Sequence, residues 1–595
     1  MPRGWGVRSV DNTLEIAPMA RQGDVANMNV HDTLPAADGD RTRSALIGAA
    51  AAVLAESNRN IPLDFVAELF GHAVPEDFAR YRPEELAGIA EQSWALLQEH
   101  KPGAPKIRFE PATAKPGVAV REIINDDMPF LVDSIVGEIS ERGLDIRLLV
   151  HPVFTVERGE TGKLNGFHGA HKGNGRRESF IHIHVDDDGN ATARADLVRT
   201  LADILAEVRV CVQDWRPMLA RLSEVTAELR AAPPPLPADE IAEAIEFLQW
   251  IAADNFTLLG ARDYAYTDSE HALEPRLETG LGLLRSPEMR LLLRGDQLVT
   301  ATPEIREFLN EPKLIIMTKA AQRSRVHRRV DLDYIGVKHF DRNGKLVGEW
   351  RFCGLLTSTA YTRSVRAIPY LRRKVDSIVE RAGFDPNSHS GKALVNVLEN
   401  YPRDELFQID EDTLYQFALA ILQLDERPRV RVLPRYDRFD RFVSVLVYVP
   451  RERYDSQIRA RIGDYLAGVF NGRVRAFYPF FPEGRLVRVH FIIARDEGAT
   501  PKVDRATLDR AVEALVRSWT DDIEEALAAA HEPKQARALL ARYRDAFPID
   551  YREVYPPATA IADIGAIEAL TAERALGVEF YREAGMEPSC AGLKV

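Results

Sequence analysis

Val118-Ala119-Val120-Arg121-Glu122-Ile123-Ile124 leads directly into Asn125-Asp126-Asp127-Met128-Pro129-Phe130-Leu131-Val132-Asp133-Ser134, and the architecture turns on that junction. The β-branched run predicts a strand. Asn125-Asp126-Asp127 interrupts it, and Pro129 stands where the first turn of a helix tolerates proline. Phe130, Leu131, Ile135 and Ile139 then recur at helical spacing as far as Gly143, after which Leu144 to Val156 is again extended in character. The unit is βαβ-like. Downstream, Phe180 to Val185 alternates as a further strand, and Asp196 to Arg230 reads as one long amphipathic helix ended by the linker Pro233-Pro234-Pro235. Upstream stands an Ala-rich helical opening, with residues 1–40 as a disordered lead-in.

Beyond the prolines, Asp239 to Asp254 predicts a helix, and Phe256 to Tyr266, Leu314 to Thr318, Tyr334 to Phe340 and Leu346 to Leu356 predict strands. Asp341-Arg342-Asn343-Gly344 between the last two carries the Asn-Gly pair that marks a hairpin. Helices over Ile368 to Ala382, Gly391 to Leu398 and Thr413 to Leu424 follow. A third region repeats the strand pattern at Arg429 to Tyr436 and Arg441 to Val449, continues in a helix over Ser456 to Phe470, and returns to strands at Arg473 to Phe481 and Leu486 to Ala494. Tyr478, Phe480 and Phe481 read as its core. Helices over Thr507 to Ala530 and Lys534 to Phe547 come next, and a final unit opens near Pro556 and stops at Val595 within a domain.

A chain of 595 residues exceeds what one hydrophobic core serves, so several folding units are expected. With 45% hydrophobic and 28% charged residues it has the balance of a globular protein. The net charge of −13 is spread along the chain, which argues against nucleic acid as a partner. Three widely separated cysteines, Cys211, Cys353 and Cys590, supply neither a disulfide framework nor a Cys-based zinc site, and they fit a reducing, cytoplasmic setting. The longest nearly apolar run, Ala45 to Ala55, is far short of a membrane span.

Several stretches resemble the N-terminal half of the large, NAD-specific bacterial glutamate dehydrogenases: Asn125 to Ser134, Val326-His327-Arg328-Arg329 with Asp333 to Lys338, and Ser358-Thr359-Ala360-Tyr361. Ser390 to Leu394, Glu399 to Phe407 and Leu446 to Arg451 continue the match in order. The resemblance implies an α+β multidomain chain of ACT-like α/β sandwiches and a PAS-like β-rich domain joined by helical linkers. The corresponding boundaries are 41–232 (first ACT-like domain with flanking helices), 238–400 (PAS-like), 401–427 (connector), 428–498 (second ACT-like), 502–548 (helical linker) and 555–595 (start of a third ACT-like domain). It further implies a homo-oligomeric enzyme that converts L-glutamate and NAD to 2-oxoglutarate, ammonia and NADH under amino-acid control. Its catalytic domain would lie outside this chain, so no catalytic residue and no bound NAD are expected here. A free-standing ACT-type sensing module is the alternative.

Gly280-x-Gly282 carries Arg285 where a dinucleotide fingerprint needs its third glycine. Ser390-Gly391-Lys392 lacks the upstream glycine and the following hydroxyl of a phosphate loop and reads as a helix start. His168, His171, His182 and His184 would suit zinc, but no close-spaced Cys or clear carboxylate partner accompanies them, and they read as an ordinary sheet surface with no metal. Glu399, Asp404 and Glu405 read as helix caps in preference to an acid/base pair. The effector-binding candidates are Asn125, Asp126, Asp127, Met128, Pro129, Phe130 and Asp133: a strand-to-helix turn with unpaired N–H groups beside carboxylates suits a zwitterion, or else simply caps the helix. Arg323, Arg325, Arg328 and Arg329, with Lys319 and His327, form a basic patch for ion pairing between domains or subunits, or for an anion.

Overall fold

The computed structural model describes residues 36–56, 61–111, 118–170, 174–186, 190–267, 272–291, 293–294, 297–298, 311, 313–495, 498–581 and 591–595. The chain divides into two compact units. The first runs to Asp127 and resumes from Ile139 to Ala202; the second takes Met128–Glu138 and everything from Asp203. Residues 1–35 of the expected lead-in 1–40, His171 and Cys590 fall outside the described residues, while residues 36–40 are helical and not a disordered lead-in.

The first unit opens with helices α1 (Ala36–Glu56), α2 (Leu63–Phe70), α3 (Pro75–Phe78) and α4 (Pro83–Leu97). Strands β1 (Lys106–Pro111) and β2 (Val118–Asp126) form an antiparallel pair; α5 (Leu131–Glu141), which belongs to the second unit as far as Glu138, follows in sequence, and then β3 (Ile146–Val150), β4 (Val153–Arg158), β5 (Leu164–Phe167) and β6 (Arg176–Asp186). The sheet order is β1-β2-β6-β4-β5, with β3 also on β6. β3 and β4 are successive halves of one strand along β6, parted at His151-Pro152 because proline lacks the N–H that a ladder needs. One sheet face, with Ile124, Phe154, Val156 and Phe180, shares a core with Phe65, Phe70, Phe78 and Leu97 of the helices.

α6 (Ala191–Gln213) and α7 (Trp215–Ala231) replace the single helix expected over Asp196 to Arg230. The chain breaks at Asp214, three residues before Pro217, so that proline's missing donor falls in a first turn where no intrahelical bond is due. After α8 (Ala238–Trp250) come strands β7 (Phe256–Thr267), β8 (Ala272–Pro275), β9 (Leu281–Gly282), the short pair β10 (Leu293–Arg294) and β11 (Gln297–Leu298), then β12 (Ile315–Arg323), β13 (Asp331–Phe340) and β14 (Leu346–Leu356). They build an antiparallel sheet in the order β12-β13-β14-β7-β8, with β9 on β7. Its β13–β14 turn is the expected one: Asp341 accepts from the N–H groups of Asn343 and Lys345, and Gly344 takes the positive φ of 77° that glycine meets without strain.

Helices α9 (Ser358–Thr362), α10 (Leu371–Ala382), α11 (His389–Glu399), α12 (Arg403–Gln408) and α13 (Glu411–Glu426) pack against this sheet in one extended core. The next sheet comprises β15 (Arg431–Tyr436), β16 (Phe442–Pro450), β17 (Gly472–Phe480) and β18 (Leu486–Arg495) in the order β15-β16-β18-β17, with α14 (Ser456–Val469) between its two hairpins. Val443, Val445, Val447 and Val449 of β16 face α14 and α15 (Arg505–Val516), and each buried side chain contributes about 1.5–3 kcal/mol. The opposite face, with Leu433, Leu446, Tyr448 and Leu486, joins the core of α10 to α13, so both faces are covered.

The expected helix Thr507 to Ala530 is also two helices, because Ser518 begins a new capping box with Asp521 at the head of α16 (Trp519–Ala530). α17 (Pro533–Tyr543), α18 (Ile549–Val554) and α19 (Pro557–Glu568) complete a helical cluster, followed by the hairpin β19 (Glu579–Tyr581) and β20 (Gly592–Lys594). Tyr478, on edge strand β17, and Phe481, just past its end, are not core as expected: they are 47% and 50% exposed. Among the described residues, no helix is long and apolar enough to cross a membrane.

Candidate functional site

The turn after β2 supplies seven candidate residues. In the first unit, Asp126 accepts from the N–H of Gly103 at 3.0 Å and pairs with Arg176 at 2.9 Å, while Asp127 pairs with Arg177 at 3.1 Å and Asn125 is buried. In the second unit, Phe130 adopts φ 72° and its ring lies 4.9 Å from that of His327, itself at φ 66°. Two non-glycine residues in the left-handed region mark stored backbone strain. Ser134 Oγ donates to Phe130 O at 2.6 Å and accepts from the N–H of His327 at 2.9 Å. His327 Nδ1 meets Asp133 Oδ2 at 2.9 Å, and this hydrogen bond holds the Asp133 carboxyl below its ordinary range.

The basic patch is committed to named acceptors. Arg329 pairs with Glu138 at 2.6 Å, Arg325 with Glu207, Arg323 donates to Arg329 O, and Arg328 to Leu356 O. Lys319 points elsewhere, into a cluster that no single sequence motif discloses. On adjacent strands it faces Asp333 across the β12–β13 ladder, and its ammonium lies 2.7 Å from that carboxylate and 3.3 Å from Asp404. Tyr361 donates to Asp404 at 3.0 Å, and the N–H of Leu356 donates to Asp333 at 3.1 Å. Burial pushes the Asp333 carboxyl up to about 6, against the pull of Lys319. Three of the separated stretches that carried the family resemblance, around Asp333, Tyr361 and Asp404, thus meet at one ammonium. The order of their types along the chain holds no signal of that meeting.

The other candidate carboxylates part company. Glu399 accepts from Ser364 Oγ and the N–H of Val365, whereas Glu405 binds Arg435 through two hydrogen bonds of 2.6 and 2.8 Å. Burial raises the Glu405 carboxyl, but the charge and hydrogen bonds of Arg435 outweigh it and hold it at about 2. They form no acid/base pair. Ser388 caps α11 by accepting from the N–H of Gly391, as a helix start requires.

His182 and His184 are not a sheet surface, being fully buried. Tyr81 Oη lies 2.6 Å from His184 Nδ1, His184 Nε2 lies 2.7 Å from His182 Nε2, and His182 Nδ1 lies 3.0 Å from Glu122. Ser93 and Arg108 donate to the same carboxylate. One proton arrangement satisfies every member: Tyr81 donates to His184, His184 to His182, and His182 to ionised Glu122. Burial works to raise Glu122, yet its hydrogen bond and charge from His182 and the charge of Arg108 bring it to about 2. His168 pairs separately with Glu157. Among the described residues, no group of His, Cys, Asp and Glu suits a metal ion.

A dinucleotide does not fit the Gly280 loop. The N–H of Gly282, which would have to meet a pyrophosphate, donates to the Asp214 carboxylate at 2.8 Å, and Arg285 pairs with the same group. An anion there would meet a carboxylate in place of free donors.

Four family models match in chain order: glutamate dehydrogenase ACT1 domain over residues 65–201, helical motif 1 over 368–427, ACT2 domain over 431–520 and helical motif 2 over 526–570. The chain belongs to the family of the large, NAD-specific glutamate dehydrogenases. It is 36% identical over 91% of its length to the NAD-specific glutamate dehydrogenase of Halomonas elongata and 33% identical over 87% to that of Pseudomonas aeruginosa. The Mycobacterium tuberculosis protein of the same name is 28% identical over 76% of the chain. The chain spans about a third of the length of these relatives, 34%, 32% and 27% respectively. Within this glutamate dehydrogenase family match, the ACT1 and ACT2 models fall on the two sheets β1 to β6 and β15 to β18, and helical motif 1 falls on α10 to α13.

Proposed function

We propose that this chain is the amino-acid-sensing, regulatory portion of a large NAD-specific glutamate dehydrogenase. The whole protein would oxidise L-glutamate with NAD and water to 2-oxoglutarate, ammonia and NADH, as a cytoplasmic homo-oligomer whose catalytic domain lies outside these residues. The carrying observation is the repeated strand order: β1-β2-β6 with β3/β4, and β15-β16-β18-β17, are the same two-hairpin sheet built twice on the segments matched by the ACT1 and ACT2 models. The sheet β12-β13-β14-β7-β8, antiparallel and backed by helices, supports a PAS-like reading of the middle region.

In this reading the effector is an amino acid and its candidate contacts are Asn125, Asp126, Asp127, Met128, Pro129, Phe130 and Asp133. The strain at Phe130 and His327 supports the choice of this turn, since strained backbone concentrates where a ligand or switch uses it. An effector shifts a conformational equilibrium only as far as it prefers one state. Hydrogen exchange of the 595-residue chain with and without a panel of amino acids tests the proposal. Slowed exchange over residues 125–138 with at least one of them is expected; unchanged exchange there with all of them contradicts the site.

A further inference from the structure

Between α8, β12, α10 and α12 lies a cavity of 510 Å³ whose floor is apolar, formed by Phe247, Ile315, Met317 and Phe407. That volume is in the range of small-molecule sites. Lys374 and Lys313 stand on its wall. The Lys374 ammonium donates to Leu406 O at 2.6 Å and Ile409 O at 2.7 Å, at the end of α12, and among the described residues no acceptor takes its third proton. Among the described residues Lys313 meets only the carboxylate of Glu311, at 3.9 Å, and that carboxylate is engaged by Arg438.

Four of the neighbouring acids have partners of their own. Glu240 accepts from Tyr370 Oη and the N–H of Leu314, Asp410 caps α13, Glu411 accepts from Ser377, and Asp376 pairs with Arg366. Tyr370, at the cavity edge, is held at φ 64° by hydrogen bonds from its N–H to Glu243 and from its hydroxyl to Glu240. Such strain persists only where the surroundings enforce it.

We propose that this cavity binds a small carboxylate carrying a short apolar side chain, with the carboxylate between Lys374 and Lys313 and the chain over Phe247, Ile315, Met317 and Phe407. An apolar 2-oxo acid and the corresponding amino acid share this chemistry. The site shares no residue with the β2–α5 turn, and its test needs no dehydrogenase activity, so it stands or falls apart from the reading above.

Burial, with the charge of Lys313, lowers the Lys374 amine to about 7, against Glu411 and Asp410, while Arg435 adds to the lowering. Glu240, Arg373, Asp376 and Glu380 complete the charged lining. A carboxylate demands the ammonium form. Binding above neutrality therefore takes up a proton, and affinity falls by up to about tenfold per pH unit above 7.

Isothermal titration of the 595-residue chain with 4-methyl-2-oxopentanoate, L-leucine and 3-methylbutanoate, in buffers of different ionisation enthalpy, tests this. Saturable binding is expected for at least one probe, with an uptake of about one proton per ligand near pH 8 and about none near pH 6. Preference for the first probe identifies a 2-oxo acid and for the second an amino acid; equal binding of the third shows that carboxylate and chain suffice. Lys374→Arg should keep binding and lose the proton uptake, because a guanidinium stays charged. Lys374→Met should weaken binding by about tenfold or more. Met317→Trp, which fills the floor and leaves both lysines in place, should abolish it. Failure of all three probes, or wild-type binding by Lys374→Met or Met317→Trp, would overturn the assignment.

Discussion

Strand β6 of the first ACT sheet carries His184 and His182, and strand β18 of the second carries His490; each histidine sits on the face that helices outside the two-hairpin core cover. In the first sheet the acid, Glu122, stands on the sheet and the hydroxyl, Ser93, comes from covering helix α4. In the second the acid, Glu405, comes from covering helix α12, while the hydroxyl, Ser444, stands on the sheet and meets His490 at 2.8 Å. An arginine of the first strand, Arg108 or Arg435, completes each set. The chain thus solves one problem twice with the parts exchanged. A sheet that must hold a helix on its second face uses a buried acid, base and hydroxyl to fix the fit, since buried polar groups are costly unless partnered.

The comparison breaks most visibly at the acids. Glu405→Ala leaves Arg435 buried without its partner and should remove about 3–5 kcal/mol from the second sheet, read as faster hydrogen exchange over β15 to β18. Glu122→Ala should cost the first sheet less, about 2–3 kcal/mol, because Arg108 is 21% exposed and regains water. Equal losses would refute the exchange of roles.

Acid should separate the sheets next. Burial lowers His490 to about 4, so the folded sheet binds its proton later than the unfolded chain; the stability it contributes is present above pH 6.5 and is lost as pH falls towards 4. Glu122, held at about 2, keeps its contribution down to about pH 4.5 and loses it below. Each amounts to about 3 kcal/mol. Exchange measured between pH 6.5 and 4.5 should therefore loosen β15 to β18 more than the first sheet, where burial lowers His151 to a lesser extent, and His490→Gln should flatten that response.

Much of this was legible in the sequence, and the losses have physical causes. The switch from alternating to helical periodicity at Val118 to Ser134 gave β2 and α5, and Asn343-Gly344 gave the β13–β14 turn, because both signals are local. The break at Asp214 was hidden, since its partner Arg285 lies 71 residues away. Helix α12, at six residues, is too short to show a period. The His182–His184 alternation was visible, but Tyr81 is 103 residues distant, so burial and pairing could not be read from it.

Smaller effects sharpen the contrast. Tyr81→Phe leaves His184 Nδ1 without its donor and should cost the first sheet about 1 kcal/mol while leaving β15 to β18 unchanged. Arg459→Ala removes a cation 4.1 Å from the centre of the exposed Phe477 ring and should shift the second sheet by about 0.5 kcal/mol.

The most direct test of the whole account is NADH formation by the purified 595-residue chain given L-glutamate and NAD. If the chain is the sensing portion proposed above, with its Gly280 loop closed by Asp214, it should form none above the buffer rate. Sustained, enzyme-dependent NADH production would place hydride transfer within these residues and contradict the account.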